Sequence, residues 1–349
     1  MAQHDAVENK EPTANARQLL EMVNCSWTTQ AIYVAAYLRI PDLLAGDARS
    51  TPELARATGA HAPALRRLMR SLVTIGICCE CGDDCYELTA VGSLLRADVA
   101  DSLRSWTLHW GGTMWPVWGN LLHSVNTGES ARKLATGSEG FALLEADPES
   151  AANFNRAMVE LTRLDSANIV SACDFSGMTT VMDVGGGYGE LLAAILEANP
   201  ALRGAVFDRP HAMANGRWKM EATLLAHRCD FVEGDFFASI PGGADAYVLK
   251  SVIHDWNDEH SRMILRNCHR AMHERARLLL IERIVPTRLE ASAAHRAIAR
   301  SDLNMLVGLG SMERTETEYR ALLDATEFKV VSVKSAGPTF GIIEAMRSR

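Results

Sequence analysis

The sequence predicts an α/β protein: a Rossmann-like, seven-stranded sheet preceded by an N-terminal helical domain of winged-helix type. Three observations predict it. From Thr179 to Glu190 an apolar run ends in one acid, Asp183, and four glycines follow within five residues, before the helix-forming run Leu191–Ala198. Beyond that turn, short apolar strands alternate with helical segments, the pattern of a parallel sheet with right-handed crossovers. Ahead of it, residues 50–88 read as helix, helix and hairpin.

Taken in order, residues 1–14 are polar and expected to fray. From Ala16 to Leu44 apolar residues recur at helical spacing on several faces at once, so the burying surface includes a second subunit. Ser50–Gly59 opens with an N-cap and a proline at the first helical position and stops on a glycine. A second helix follows from Ala62 to Ile75, and Ile77–Cys79 and Tyr86–Leu88 flank a Gly-Asp-Asp turn as a hairpin. A winged helix binds DNA or serves as a dimerisation platform. Arg66, Arg67 and Arg70 favour DNA, but Glu80, Asp83 and Asp84 at the hairpin tip have the wrong sign to face phosphate.

Four cysteines, Cys78, Cys79, Cys81 and Cys85, crowd this hairpin. Zinc needs four thiolates in a tetrahedron, whereas adjacent Cys78 and Cys79 on a strand point to opposite faces, so no metal is expected. Residues 102–125 hold four of the seven tryptophans. They read as a core helix or as the wall of a pocket for a flat apolar ligand. Asp147-Pro148-Glu149 caps a long helix to Cys173. Strands are expected at Thr179–Val184, Arg203–Asp208, Cys229–Asp235, Asp245–Val252, Ala276–Val285, Phe328–Lys334 and Gly341–Met346, the last a candidate for antiparallel pairing. The expected domains are residues 1–100, 101–175 (a helical linker and pocket segment) and 176–349.

Composition excludes some classes of function. The 349 residues suffice for two domains, and 48% hydrophobic with 22% charged residues is ordinary for a soluble enzyme. A net charge of −8 argues against a general nucleic-acid surface. No apolar run is long enough to span a bilayer, and the polar N-terminus lacks the core of a signal peptide. The eight cysteines are expected to be reduced thiols in a cytoplasmic protein.

The glycine turn selects its ligand by spacing. The dinucleotide fingerprint wants glycines at positions one, three and six, and from Gly185 the sixth position is Glu190. What stands here is Asp183-x-Gly185-x-Gly187-x-Gly189, without the Gly-Lys-Ser/Thr of a P-loop. An acid at the mouth of the turn suits a ligand with a cationic amine and a sulfonium, such as S-adenosylmethionine. The plain alternative is a glycine-rich turn in an unrelated α/β protein. Asp208, 19 residues after Gly189, is placed for ribose hydroxyls, and Asp235 for an adenine amine with Phe236 packed on the ring. His254 follows the fourth strand in Lys250-Ser-Val-Ile-His254-Asp-Trp, where an imidazole suits proton transfer near neutral pH. Glu282 and Glu313 are candidates to hold its far ring nitrogen.

These residues resemble the S-adenosylmethionine-dependent small-molecule O-methyltransferases, which include the plant caffeate and flavonoid enzymes and bacterial enzymes of phenazine, polyketide and other aromatic natural-product pathways. The resemblance runs through Gln30-Ala-Ile-Tyr-Val-Ala-Ala, the winged-helix segment, Val181–Gly189, Gly234-Asp-Phe-Phe237, His254-Asp-Trp and Glu313-Arg-Thr. It departs in Val307-Gly-Leu-Gly-Ser-Met, where the family often has a Gly-Gly pair, and in the four-cysteine wing. The resemblance implies a homodimer with intertwined N-terminal domains and a C-terminal methyltransferase sheet. It implies cofactor contacts from Gly185, Asp208, Asp235, Phe236 and Lys250, with Trp256 near the adenine. Asp183 and Gly187 join them from the turn itself. His254 is implied as general base, flanked by Glu282 and Glu313. Trp106, His109, Trp110, Trp115, Phe154, Met158 and Met305 are candidate pocket residues for a planar aromatic acceptor. Two alternatives stay open: other chemistry with the same cofactor, such as hydroxylation or decarboxylation, and a winged-helix regulator that senses a small ligand.

Overall fold

The computed structural model describes residues 12–138 and 140–348. Most of the polar segment 1–14 lies outside the described residues. The chain divides into two compact units, one up to Gly112 and one from Thr113. Among the described residues no helix is long and apolar enough to cross a membrane.

The first unit opens with helix α1, Pro12–Tyr37. Its C-terminal part is buried at Ala35 and Ala36, but Leu19, Leu20, Met22, Val23 and Trp27 are 58–72% exposed. Helix α2, Thr51–Thr58, starts at a capping box in which Glu53 Oε2 accepts from Ser50 N at 2.8 Å, and it ends on Gly59 at φ 72°. Helix α3, Ala62–Thr74, turns Leu65, Met69 and Leu72 into a small core with Leu54, Ile77 and Tyr86. The hairpin strands Cys78–Gly82 and Cys85–Leu88 pair antiparallel, and Arg49–Ser50 adds a third short strand. The helix–helix–hairpin order expected from the sequence is therefore present. Cys78 is buried while Cys79 and Cys81 face solvent, as strand alternation requires. At the tip Asp84 accepts from Arg66 at 2.5 Å and Thr51 at 2.6 Å, so one arginine of α3 is already neutralised.

The aromatic stretch is not one helix. It breaks into Arg104–Leu108, a π-helical turn His109–Thr113, Trp115–Trp118 and Leu121–Thr127. The break has a packing cause. A Cβ on Gly111 would stand 2.3 Å from Tyr33 Cβ, and Gln30 Nε2 donates to Gly111 O at 2.8 Å, so the backbone must come hard against α1 there.

The second unit is built on seven strands: β1 Thr180–Val184, β2 Arg203–Asp208, β3 Cys229–Glu233, β4 Ala246–Lys250, β5 Arg277–Glu282, β6 Phe328–Ala336 and β7 Phe340–Arg347. Their order is β6-β7-β5-β4-β1-β2-β3. Only β7 is reversed, pairing antiparallel with both β5 and β6. This settles the pairing left open for the last strand. Four expected strands are shorter in the structure. The first begins at Thr180, and the fourth runs only from Ala246 to Lys250. The third stops at Glu233, where a Cβ on Gly234 would collide with the Phe207 ring at 2.3 Å, and Asp235 falls in the following loop. The segment read as Ala276–Val285 divides at Arg283 into β5 and a two-residue strand, Ile284–Val285.

Strand alternation builds a core on each face of the sheet. Met182, Val184, Tyr247, Leu249, Leu278 and Leu280 pack with Ile264, Leu265 and Leu322. Val181, Val206, Val248, Leu279 and Ile281 pack on the other side with Ile169, Leu192, Ile195 and Met213. Both faces covered is the arrangement that makes parallel strands continuously apolar. Strand order reverses between β1 and β4, so a crevice opens at their carboxyl ends.

Candidate active site

The crevice is lined first by the turn after β1. Gly185, Gly187 and Gly189 have φ of 74°, 56° and 78°, left-handed values that suit glycine, in the alternation of the Asp-x-Gly-x-Gly-x-Gly run. Gly186 is constrained differently: a Cβ there would lie 2.5 Å from Asp183 Oδ2. Asp183 is 2% exposed, and Oδ2 has no hydrogen-bond partner in the protein. Burial, reinforced by the charge of Asp208, pushes its carboxyl up to about 7. A buried carboxyl group with an unpartnered oxygen under a bare-backbone turn fits a cationic group far better than a phosphate.

Asp208, at the end of β2, reaches back to the turn. Its Oδ2 accepts from Gly187 N at 2.8 Å and its Oδ1 from Arg209 N at 2.7 Å. Asp235, in the loop after β3, accepts from Phe237 N at 2.8 Å and from Arg209 Nη1 at 3.2 Å. Arg209 also donates to Glu145 Oε1 at 2.7 Å. Asp183 thus lies next to the end of β1, Asp208 at the end of β2 and Asp235 two residues past β3. The aromatic rings follow them. Phe236 lies 6.0 Å and Phe237 4.7 Å from the Trp256 ring, and Phe141 bridges Trp256 at 6.0 Å to Phe154 at 6.1 Å. Lys250, ending β4, donates to Thr162 Oγ1 at 3.0 Å. Burial, helped by the nearby Arg283, draws its ammonium down to about 8. Thr162 belongs to helix α4, Pro148–Ala172, and shares its face at four-residue spacing with Met158 and Phe154.

The next residue, Ser251, is held at φ 55°, a left-handed strain that swings the chain out of β4 into the 3-10 turn Ile253–Asp255. His254 on this turn is 5% exposed. Its Nδ1 lies 2.9 Å from Glu313 Oε1 and 3.7 Å from Glu282 Oε2, and its Nε2 lies 3.3 Å from Asp255 Oδ1. Only the Glu313 contact is a hydrogen bond on Nδ1, which assigns the Nδ1 proton to that bond. Glu282 points Oε1 at the amides of Val252 and Ile253, at 3.1 and 2.8 Å, and so shapes the turn itself. Glu313 is fixed from helix α5, Ala293–Leu309: Ser301 Oγ donates to it at 2.6 Å, and its own N–H donates to Asp302 at 3.0 Å. Met305 is buried one turn beyond Ser301 on the same helix.

The charges here act on one another. Burial alone draws the His254 imidazolium down, but the carboxylates of Glu313, Glu282 and Asp255 outweigh it and hold it up at about 10. Burial lifts Glu282 to about 7 against the His254 charge, and lifts Asp255 to about 6. Glu313 is the exception: burial pushes it up, yet the His254 cation and hydrogen bond win and lower it.

The remaining expected residues are distributed between the units. In the first, the Trp106 and Trp110 rings lie 5.1 Å apart, tilted by 58°, and His109, 3% exposed, meets the Trp110 ring edge-on at 5.2 Å. In the second, the Trp115 side chain is 39% exposed, while Trp118 Nε1 donates to Asn304 at 3.2 Å. Sequence reasoning missed Gly186, Asp255 as a partner of Nε2, Thr162, Ser301, Asp302 and Arg314. Of these, Gly186, Asp255 and Arg314 were findable, each being the neighbour of a named residue.

Two family models match the chain: the O-methyltransferase domain over residues 118–329, and the O-methyltransferase dimerisation domain over residues 20–98. The chain is 40% identical over 328 residues to the phenazine O-methyltransferase PhzM of Lysobacter antibioticus, covering 94% of this chain and 95% of that one. The crystal structure of LaPhzM superposes with a TM-score of 0.92 at 38% identity, over 95% of this chain and 99% of that one. An O-methyltransferase from neocarzinostatin biosynthesis, NcsB1, solved with S-adenosylmethionine and 2-hydroxy-5-methyl naphthoic acid, matches at a TM-score of 0.79 and 34% identity, over 92% and 96% of the two chains.

Proposed function

This chain belongs to the S-adenosylmethionine-dependent O-methyltransferase family, and from that premise we propose that it methylates a hydroxyl of a small aromatic natural product, with His254 as general base. The carrying observation is the buried His254–Glu313 pair at 2.9 Å, placed at the carboxyl edge of β4 beside the glycine turn. S-adenosylmethionine brings a methyl group already activated on a sulfonium. Asp183, Gly185, Gly187, Asp208, Asp235, Phe236, Lys250 and Trp256 are the residues that would hold it.

The protein's own task is the acceptor proton. A phenol has a pKa of about 10, so little phenolate exists at neutral pH. An imidazole held near 10 by its carboxylates is matched to it, and transfer to Nε2 runs close to level. Glu313 keeps the Nδ1 proton in place, so that Nε2 is the nitrogen left to receive one. Glu282 and Asp255 then balance the imidazolium. Oxygen and nitrogen atoms of His254, Glu282 and Glu313 lie within 4.8 Å of one another, a spacing metal sites share. With Glu282 Oε1 given to two amides and Glu313 Oε1 to His254 and Ser301, we read the cluster as a proton relay.

The same charges set a pH dependence. Raising pH strips the proton from the cluster and frees the base, so kcat is expected to climb from about pH 6 to 10, the profile reporting the coupled cluster as a whole. A flat or acid-peaked profile would contradict the base assignment. Within the second unit, Phe154, Met158, Met305 and Trp115 are proposed to line the acceptor site. The test is a panel of hydroxylated phenazines, naphthoates and simple phenols beside matched aromatic amines, with products located by mass and NMR. Methylation confined to the amines, or none, overturns the reading. Neither open alternative, non-methylating chemistry or ligand-sensing regulation, draws support from the family match.

We further propose a homodimer through α1. Each Trp27 or Leu20 side chain withdrawn from water contributes about 2–3 kcal/mol. The double substitution Leu20→Glu with Trp27→Glu is therefore expected to shift the chain to monomer in light scattering. A parent chain already monomeric at micromolar concentration would refute the interface.

A further inference from the structure

We propose that Arg314 is the positioning residue of the base, holding the His254 turn by its backbone while the preceding Glu313 holds it by the ring. This rests on His254 being the base. Arg314 is 1% exposed, the bulkiest of the fully buried side chains. Its Nη1 donates to Ile253 O at 3.0 Å, and its Nη2 to Trp256 O at 2.7 Å. Those two carbonyls bracket His254 and Asp255. Ser261 Oγ, with a single proton to give, lies 3.4 and 3.3 Å from the same two oxygens, and Ile253 O also accepts from Trp256 N at 3.3 Å.

The guanidinium's only carboxylate partner among the described residues is Asp258, whose Oδ1 lies 3.0 Å from Nη2 and whose side chain is 51% exposed. An exposed ion pair is worth little, and a charge this deeply buried is costly. The planar fork earns its place by spanning two carbonyls at once, which a lysine ammonium on a flexible stem does not do in fixed geometry. One dipeptide, Glu313–Arg314, thereby sets both the position and the ring orientation of His254. Because Arg314 also holds Trp256 by its carbonyl, the same clamp ties the base to the aromatic floor of the cofactor crevice.

The test compares Arg314→Met, Arg314→Lys and Asp258→Asn in the full-length protein. Arg314→Met is expected to lower kcat roughly 100-fold, since small misplacements of a reacting group cost that much. Its affinity for S-adenosylhomocysteine should fall by less than about tenfold, because the acids of the crevice remain. Arg314→Lys should recover part of kcat. Asp258→Asn should keep kcat within about threefold, since both carbonyl bonds of the guanidinium remain, and should lower the melting temperature, since the buried charge loses its carboxylate.

The discriminating readout is the titration of His254 followed by NMR on histidine-labelled protein, which needs no turnover. The ring is faced by Glu313 from beyond α5, Glu282 from β5 and Asp255 from its own turn. Arg283 lies 4.0 Å from Glu313, Arg132 acts on Asp255, and Tyr319 is buried beside Glu282 and Glu313. Released from Glu313, the imidazole should titrate lower by roughly one unit or more. Should the parent chain methylate no hydroxyl, the functional reading fails, and this titration still decides the clamp. Folded variants with unchanged His254 titration and unchanged kcat overturn it. If Arg314→Met does not fold, Arg314→Lys carries the same two readouts.

Discussion

Replacing His254 with asparagine is expected to lower kcat by roughly 10²–10⁴-fold while S-adenosylhomocysteine still binds. Asparagine keeps a donor toward Glu313 and removes the ring nitrogen Nε2 that is proposed to take the acceptor's proton. The fold should survive. Glu282 Oε1 retains its two amide donors, and Glu313 retains Ser301 and Asp302. The loss of the imidazolium leaves two buried carboxylates less compensated, so the variant should melt lower and take up protons at higher pH than the parent. Turnover kept with cofactor bound would show that the acceptor ionises without help from this residue.

Replacing Asp208 with alanine should act on the other half of the site. It removes the acceptor of Gly187 N at 2.8 Å, loosening the turn, together with the carboxylate proposed for the ribose hydroxyls. Hydrogen bonds to a charged group contribute about 1.5–3 kcal/mol, so the dissociation constant for S-adenosylhomocysteine should rise roughly 10- to 200-fold in calorimetry. At saturating cofactor, kcat should change little, because His254 and its partners lie on the turn after β4, on β5 and on the segment after α5. An affinity within twofold of the parent would remove Asp208 from the cofactor site. The two substitutions therefore separate cleanly: His254 affects kcat, and Asp208 affects cofactor affinity.

Much of this was legible before any coordinates. Asp183 and the three alternate glycines were readable because a left-handed turn under a ligand leaves few choices of residue, and the structure gives those glycines positive φ. Asp208 and Asp235 were readable as acids at strand ends, though Asp235 stands two residues past the strand that was expected to contain it. The aromatic stretch from 102 to 125 was readable in composition only. Its division into short helices around a π turn depends on Gly111 pressing against Tyr33, a contact between residues nearly eighty positions apart that local periodicity does not encode.

The sequence by itself determined the alternating α/β architecture, the helix–helix–hairpin segment, the glycine turn after β1 and the acids and histidine that stand at the ends of the strands. These are local properties: apolar period, turn chemistry and residue type within a few positions. Tertiary structure alone decided which groups act together. That Glu313 and not Glu282 holds Nδ1, that Lys250 leans on Thr162 and that Arg314 grips the carbonyls around His254 all follow from burial and from contacts across about 60 to 90 residues of chain. Hydrogen bonds and charges act over a few ångströms in space, so distances along the chain do not specify them until the sheet has brought β4, β5 and the turn after α5 to one edge.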